Sequence, residues 1–255
     1  MPVHTPMLPS KSKHPRATGG SARGRQTWAR RVHDLLRSEI RNGALPQGAL
    51  LVEDRLMQNL AASRTSVREA LQQLVTSGLV TRVPHGGTRV VDRITQLPLT
   101  DILPSEFGGD FRIVVIDRRV VPATTMIRDR LGIDDDQVGF VEHFFLTGEE
   151  PVGVRAVYHR TSITQPAGWP RCPSLGEGFA VVFGRPLGAV RSTIDAVPAD
   201  PKTAELLGIE EGSPVLLLEQ CLIDVDGVCQ EFTFTRYRAN RVSLTSLISM
   251  HPTWA

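Results

Sequence analysis

The residues best suited to chemistry lie in one run, Ser63-Arg64-Thr65-Ser66-Val67-Arg68-Glu69-Ala70-Leu71. That chemistry is recognition of a polyanion rather than bond making. Ser63, Thr65 and Ser66 are all good helix-capping residues, and Ser66 with Glu69 has the S-x-x-E spacing of a capping box. A helix N-terminus presents free backbone N–H groups and the positive end of its dipole, and both favour phosphate. Arg64 and Arg68 lie four apart, so they share one helix face and add two cations to it. Val67, Ala70, Leu71 and Leu74 occupy the other face and can pack inward. Taken alone, the run also fits an ordinary amphipathic helix with a solvated arginine pair.

Other chemistries find less support. The three cysteines, Cys172, Cys221 and Cys229, have no metal-ligand spacing, and the seven histidines show no paired ligand spacing. We therefore expect neither metal nor cofactor. Cys221 and Cys229 could face each other across a hairpin, but a redox role is the weaker reading. No apolar run approaches the roughly 18 residues of a membrane span. Lys11, Lys13 and Arg16 are followed by no apolar core, so no secretory signal is expected. The expected setting is the cytoplasm, with thiols reduced.

The elements that must position the basic run follow from periodicity and charge. A chain of 255 residues with 41% hydrophobic and 22% charged residues allows one large or two ordinary globular domains. Its net charge of +2 conceals an asymmetry. Residues 1–91 hold 14 Lys/Arg against 5 Asp/Glu, a net of +9, and residues 92–255 hold 15 against 22, a net of −7. A basic first third on an acidic remainder suggests a polyanion-binding module joined to a carrier.

Residues 1–25, rich in Pro, Ser, Gly and basic residues, read as a disordered basic arm or as a poorly ordered terminus. Trp28, Val32, Leu35, Leu36 and Ile40 then recur at helical steps, and Gly43 stops that helix. Leu51 and Val52 fit a short strand, and Glu53 through Leu60 a short helix. Ala61-Ala62 is a tight connection to the basic run, whose helix reaches about Ser77, with Gly78 beyond its end. Strand patterns at 79–83 and 88–91 are joined by Pro84-His85-Gly86-Gly87. Three helices and a hairpin over 26–91 make a winged helix-turn-helix, whose third helix enters the major groove. Residues 92–111, broken by Pro98, Pro104, Gly108 and Gly109, read as a linker.

The second half repeats itself. Val121-Pro122-Ala123 precedes Leu131-Gly132-Ile133-Asp134-Asp135, and Val197-Pro198-Ala199 precedes Leu207-Gly208-Ile209-Glu210-Glu211, at an offset of 76 throughout. Each copy runs into an apolar strand (138–146 or 215–223), a turn and a return strand (152–158 or 230–237). Two strand–helix–hairpin units should join in one antiparallel sheet with helices on it, an α+β domain over 112–248. The pseudo-symmetry leaves a ligand crevice between the halves.

Leu51, Glu53, Leu56, Leu60, Ser63-Arg64-Thr65, Val67-Arg68-Glu69-Ala70-Leu71, Leu74, Gly78-Leu79-Val80, Arg82 and Gly87-Thr88 resemble the N-terminal domain of the GntR family of bacterial transcriptional regulators. The resemblance implies that Ser63, Arg64, Thr65, Ser66 and Arg68 contact DNA, and that the wing tip, His85, Gly86 and Gly87, reaches the minor groove. Two positions depart from the family pattern. Asp54 stands where a basic residue is common, and would repel phosphate. His85 stands where the wing usually has its first glycine.

The duplicated Pro-Ala…Leu-Gly-Ile motif, Gly212-Ser213-Pro214-Val215-Leu216-Leu217-Leu218 and the ending from Gln230-Glu231 to Tyr237-Arg238-Ala239-Asn240-Arg241 resemble the UTRA domain. This is the effector-sensing domain of the HutC subfamily, with a chorismate-lyase-like fold. The resemblance implies a small-molecule site on the two return strands, at Arg155, Val157, Glu231 and Thr233. A cation and an anion facing one crevice suit a zwitterion or a carboxylate with hydroxyls, or the two could simply pair with each other. Gly178-Phe179 replaces the Gly-Ser of sugar-phosphate binders, which favours a small carboxylate over a phosphorylated sugar. Arg238 completes a positive pocket or, with Arg241, caps the sheet edge.

The resulting expectation is a ligand-responsive DNA-binding regulator, a repressor released from its operator by a small effector. It would act as a homodimer on a pseudo-palindromic site in double-stranded DNA. The competing readings are an enzyme, which lacks a recognisable nucleophile–base pair in the sequence, and a structural DNA-binding protein without an effector. Arg68→Ala should weaken operator binding at least roughly tenfold while leaving the thermal midpoint nearly unchanged. A titration at fixed salt with unaltered affinity would refute this role.

Overall fold

The computed structural model describes residues 27–84, 86–91, 94–99, 111–161 and 174–247. The basic arm, the wing residue His85 and Cys172 lie outside these residues.

The head begins with α1 (Trp28–Arg41), where the Thr27 hydroxyl accepts a bond from the Arg30 N–H. The strand β1 (Leu50–Leu51) and α2 (Glu53–Asn59) lead to α3 (Arg64–Thr76). The hairpin β2 (Val80–Val83) and β3 (Gly87–Val90) joins β1 in a sheet of order β1-β3-β2. Val32, Leu36 and Ile40 of α1 meet Val67, Ala70, Leu71 and Leu74 of α3 in one core, closed by Leu51, Leu79 and Val90. The inward face read for α3 is the face buried; on α1 Val32, Leu36 and Ile40 are buried, whereas Trp28 and Leu35, read with them, are exposed.

The start of α3 corrects one expectation. The cap is Ser63, whose Oγ accepts from the Ser66 N–H at 3.2 Å, and Ser66 lies inside the first turn. No capping box forms between Ser66 and Glu69, because the helix starts three residues earlier. The turn at Ala61-Ala62 delivers Ser63 in extended conformation, so its hydroxyl is the first able to cap. In that turn Ala61 sits at φ +48°, the left-handed region that a side chain disfavours.

The second domain contains two copies of one unit. The first is β5 (Phe111–Pro122), α4 (Thr125–Leu131), β6 (Gln137–Thr147) and β7 (Glu150–His159). After α5 (Leu175–Phe183) comes the second, β8 (Leu187–Pro198), α6 (Pro201–Leu207), β9 (Pro214–Asp224) and β10 (Cys229–Arg238). Their strands form one antiparallel sheet of order β5-β6-β7-β10-β9-β8. The offset of 76 thus becomes a pseudo-two-fold axis between β7 and β10. It extends to the helix caps, Thr124 and Asp200, and to the glycines at φ near +60° that end the helices, Gly132 and Gly208. Helices α4 and α6 cover one face, packing on Phe232, Tyr158, Val154 and Phe144.

The opposite face is partly covered by a parallel pair, β4 (Thr95–Pro98) and β11 (Val242–Thr245). Leu97, Leu99, Val242 and Leu244 pack there on Phe145, Leu218 and Tyr237. Residues 95–98 therefore form a strand inside the stretch read as a linker, and Phe111 already opens β5. The partner of β4 lies near the other end of the sequence, so no local pattern announces it. The turn after β10 touches the head. Arg37 donates to the Ala239 carbonyl (3.1 Å), Asn240 to that of Ser77 (3.3 Å) and Arg241 to that of Gly78 (3.5 Å), at the end of α3.

Ala61→Val should destabilise the head by about 1–2 kcal/mol, since a β-branched residue fits the left-handed region poorly. Ala61→Gly should leave stability equal or higher. Urea unfolding of the two variants checks the sign of each change.

Candidate nucleic-acid interface and effector site

The face of α3 that carries its two arginines is laced to α2. Arg68 donates through Nε to Glu53 Oε2 (2.9 Å), and Arg64 through Nη2 to Asp54 Oδ1 (2.9 Å). Asp54, expected only to repel phosphate, is therefore the counter-ion of Arg64. These are exposed pairs, worth at most about 1 kcal/mol each, so a stronger anion can displace them. The different nitrogens matter more. With Nε engaged, Arg68 keeps both terminal nitrogens for the bidentate edge that suits guanine, whereas Arg64 has one of them occupied.

Glu53 and Arg68 line a cleft of about 520 Å³ with Arg82, Val83, Gly87 and Thr88 of the wing. Ser63, Arg64, Thr65 and Arg68 are exposed and Ser66 is half-buried. At the wing tip, a Cβ on Gly86 would lie 2.9 Å from Val83 Cγ1, and Gly87 sits at φ +76°. The wing turn therefore depends on these two glycines. Arg82 was not among the residues expected at the site. Its place in the strand pattern, one turn before the wing tip, was the available signal.

On the face of the sheet away from α4 and α6, register sets the side chains. Arg155 stands opposite His143 on β6 and Thr235 on β10, and Val157 opposite Val141 and Thr233. Thr233 stands opposite Gln220 on β9, and Gln220 opposite Ser192 on β8. Tyr237 packs flat on Gly153, where a Cβ would approach its ring to 2.6 Å. Of the expected effector residues, Arg155, Val157, Glu231 and Thr233 all lie on this face, and all are buried. Arg238 does not join them. Strand alternation puts it on the other face, where it donates to Glu150 at 2.5 Å.

Arg155 reaches along the strand and donates through Nη2 to Glu231 Oε1 at 2.5 Å. Of the two alternatives open from sequence, the structure contains the direct pair. The polar atoms around it are less provided for. Arg155 Nε, the Thr233 hydroxyl and His143 Nδ1 are buried without a hydrogen-bond partner. The Thr235 and Tyr237 hydroxyls lie beside each other, but neither makes a well-formed bond. Each such orphan costs about 1–3 kcal/mol, so a cluster on one face marks a place kept for something polar. His143, Gln220, Thr235 and Tyr237 were missed from sequence. The alternation of Glu231, Thr233 and Thr235 with Phe232 and Phe234 was the signal for Thr235.

Burial, then the neighbouring Arg155 and Arg118, push the His143 imidazole down to about 3 from 6.5, so it is neutral. Burial and the adjacent Cys221 push the Cys229 thiol up to about 12, which suppresses the thiolate a redox role would need.

A model of the UTRA domain matches residues 107–243, and one described as bacterial regulatory proteins, gntR family, matches residues 28–90. The chain belongs to the GntR family and carries a UTRA domain. An HTH-type transcriptional regulator of Mycobacterium tuberculosis is 27% identical to this GntR regulator over 237 residues, 86% of this chain and 85% of the relative. The mannosyl-D-glycerate transport/metabolism system repressor of Escherichia coli is 24% identical over 231 residues, 87% and 96% of the two chains. The crystal structure of PhnF from Mycobacterium smegmatis covers 87% of this chain and 100% of its own, with a TM-score of 0.59 at 22% identity. That likeness is one of fold. The α+β architecture, a winged helix-turn-helix joined to an antiparallel sheet with helices, is thus that of a ligand-responsive, DNA-binding transcriptional regulator.

Because the folded state holds His143 far below its ordinary pKa, the unfolded chain binds the extra proton as pH falls. Stability should decline from about pH 6.5 towards pH 3 through this group. His143→Gln should flatten that part of the profile. Denaturation midpoints at a series of pH values, with equal slopes for both proteins, would contradict it.

Proposed function

We propose that this regulator is a homodimeric repressor in the cytoplasm, released from a pseudo-palindromic operator when a small molecule binds on the face of Arg155, Val157, Glu231 and Thr233. The observation that carries the reading is the row of buried polar atoms without partners where the two halves of the sheet meet. The same strand, β10, runs from Glu231 through Thr235 to the turn that bonds to the end of α3. A ligand on the row therefore acts on an element that touches the recognition helix. It shifts the heads only by binding one arrangement more tightly than the other. Relatives named as repressors support the sign of the response.

In the DNA interface, Arg68 reads a guanine through its terminal nitrogens, with Glu53 holding the guanidinium. Ser63, Arg64, Thr65 and Ser66 engage phosphate, and Gly86 and Gly87 carry the wing to the minor groove. His85 lies at the wing tip by sequence. Binding is favoured over catalysis because neither the Thr233 hydroxyl nor the Thr235 hydroxyl bonds to His143, so the row has no nucleophile on a base.

Selection of random duplexes by the full chain, followed by sedimentation of the complex, tests the reading. We expect a two-fold symmetric motif bound by two chains. In Arg68→Ala, base preference should be lost at one position of each half-site. A motif without symmetry, bound by a single chain, defeats the proposal.

A further inference from the structure

We infer that the effector carries no net charge and is rich in hydroxyl groups. The inference rests on reading the Arg155–Glu231 row as the effector site.

Within the buried row the charges are balanced, and the next cation, Arg118 on β5, is exposed. Arg155 is engaged by Glu231, and the Glu231 side chain is fully buried. An anionic ligand on the remaining guanidinium N–H groups would place a second negative charge beside the buried Glu231 carboxylate, with one cation shared between them. A cationic ligand would do the converse to Arg155. A buried charge without a full counter-ion is strongly unfavourable. The pair therefore acts as a neutral floor and not as a hook for charge, in contrast to the small carboxylate expected from sequence.

Of what remains unsatisfied, only Arg155 Nε belongs to a charged group, the cation already paired with Glu231. The Thr233 and Thr235 hydroxyls can each donate and accept, Arg155 Nε can only donate, and the uncharged His143 Nδ1 does one or the other according to tautomer. A hydroxyl group, which donates and accepts, is the partner that suits all four. A hydrocarbon would leave them as they are. Geometry adds a size. Thr233 and Thr235 are two residues apart on one strand, about 7 Å, and Thr235 stands directly across from Arg155, about 5 Å away. Val141, Val157 and Leu218 lie on the same face and offer apolar contact to C–H groups. A polyol or monosaccharide of about five or six carbons presents several hydroxyls over that span.

The test is thermal melting and calorimetry of the full chain with matched compounds. The uncharged set is D-glucose, D-mannitol and ribitol. The charged set is D-glucose 6-phosphate, D-gluconate and D-glucosamine. We expect an uncharged member to raise the melting temperature, with an affinity nearly constant between about 50 and about 500 mM salt. Thr233→Val should weaken that binding roughly tenfold or more. The free variant should melt no lower than the wild type, because a buried hydroxyl without a partner has been removed. Binding confined to charged compounds, and dependent on Thr233, overturns the ligand class but leaves the site standing. Stabilisation by no compound, or only stabilisation that Thr233→Val leaves intact, overturns both the inference and the effector site on which it rests.

Discussion

The ion pair between Arg155 and Glu231 sits where the two halves of the effector domain meet, and the rest of that domain is arranged around it. The residues are separated by the repeat offset of 76, so they are equivalent positions of the two copies. A two-fold arrangement of β7 beside β10 brings equivalent residues close together. A charge on one copy then needs its complement on the other, because like charges at this depth could not both remain ionised. Val157 and Thr233 are equivalent in the same way and stand directly opposite each other. At the axis the two copies differ in kind: an apolar residue meets a hydroxyl and a cation meets an anion.

A different electrostatic logic governs the head. Its pairs are exposed, weak and replaceable, which suits residues that must exchange a carboxylate for DNA. Glu53 and Asp54 on the first turn of α2 keep Arg68 and Arg64 extended over the surface in the absence of DNA. This lowers the conformational entropy lost on binding. It also tempers the positive field that makes nonspecific binding strong. The buried pair of the effector domain resists exchange, and the exposed pairs of the head permit it.

Between the two lies a short mechanical path. The strand β10 carries Glu231, Thr233 and Thr235 and then Arg238, which with Arg241 grips Glu150 across the sheet. The next residues, Ala239 to Arg241, bond to Arg37 on α1 and to the carbonyls that end α3. The parallel pair of β4 and β11 continues this contact, since the Thr95 N–H donates to the Arg241 carbonyl and Gln96 to the Arg41 carbonyl. The head is held to the effector sheet mainly through polar contacts to carbonyls at helix ends. Such contacts can be exchanged at modest cost, unlike a shared apolar core.

The sequence by itself determined what depends on near neighbours. The three helices, the inward faces at Val67, Ala70, Leu71 and Leu74, the wing hairpin and the duplicated unit follow from periods of 3.6 and 2 and from an exact offset. Four of the five expected effector residues also lie on one face, because alternation along a strand is local. Only the tertiary structure decided what depends on register and long-range pairing. It set Arg155 against Glu231, set His143 beside them, and turned Arg238 away to Glu150. It made a strand of Thr95–Pro98 by pairing it with Val242–Thr245, and it gave Arg68 and Arg64 different nitrogens to spare. A one-residue shift of β6 against β7 would reverse which side chains share the ligand face. That choice is made by the packing of the whole sheet, and no single segment contains it.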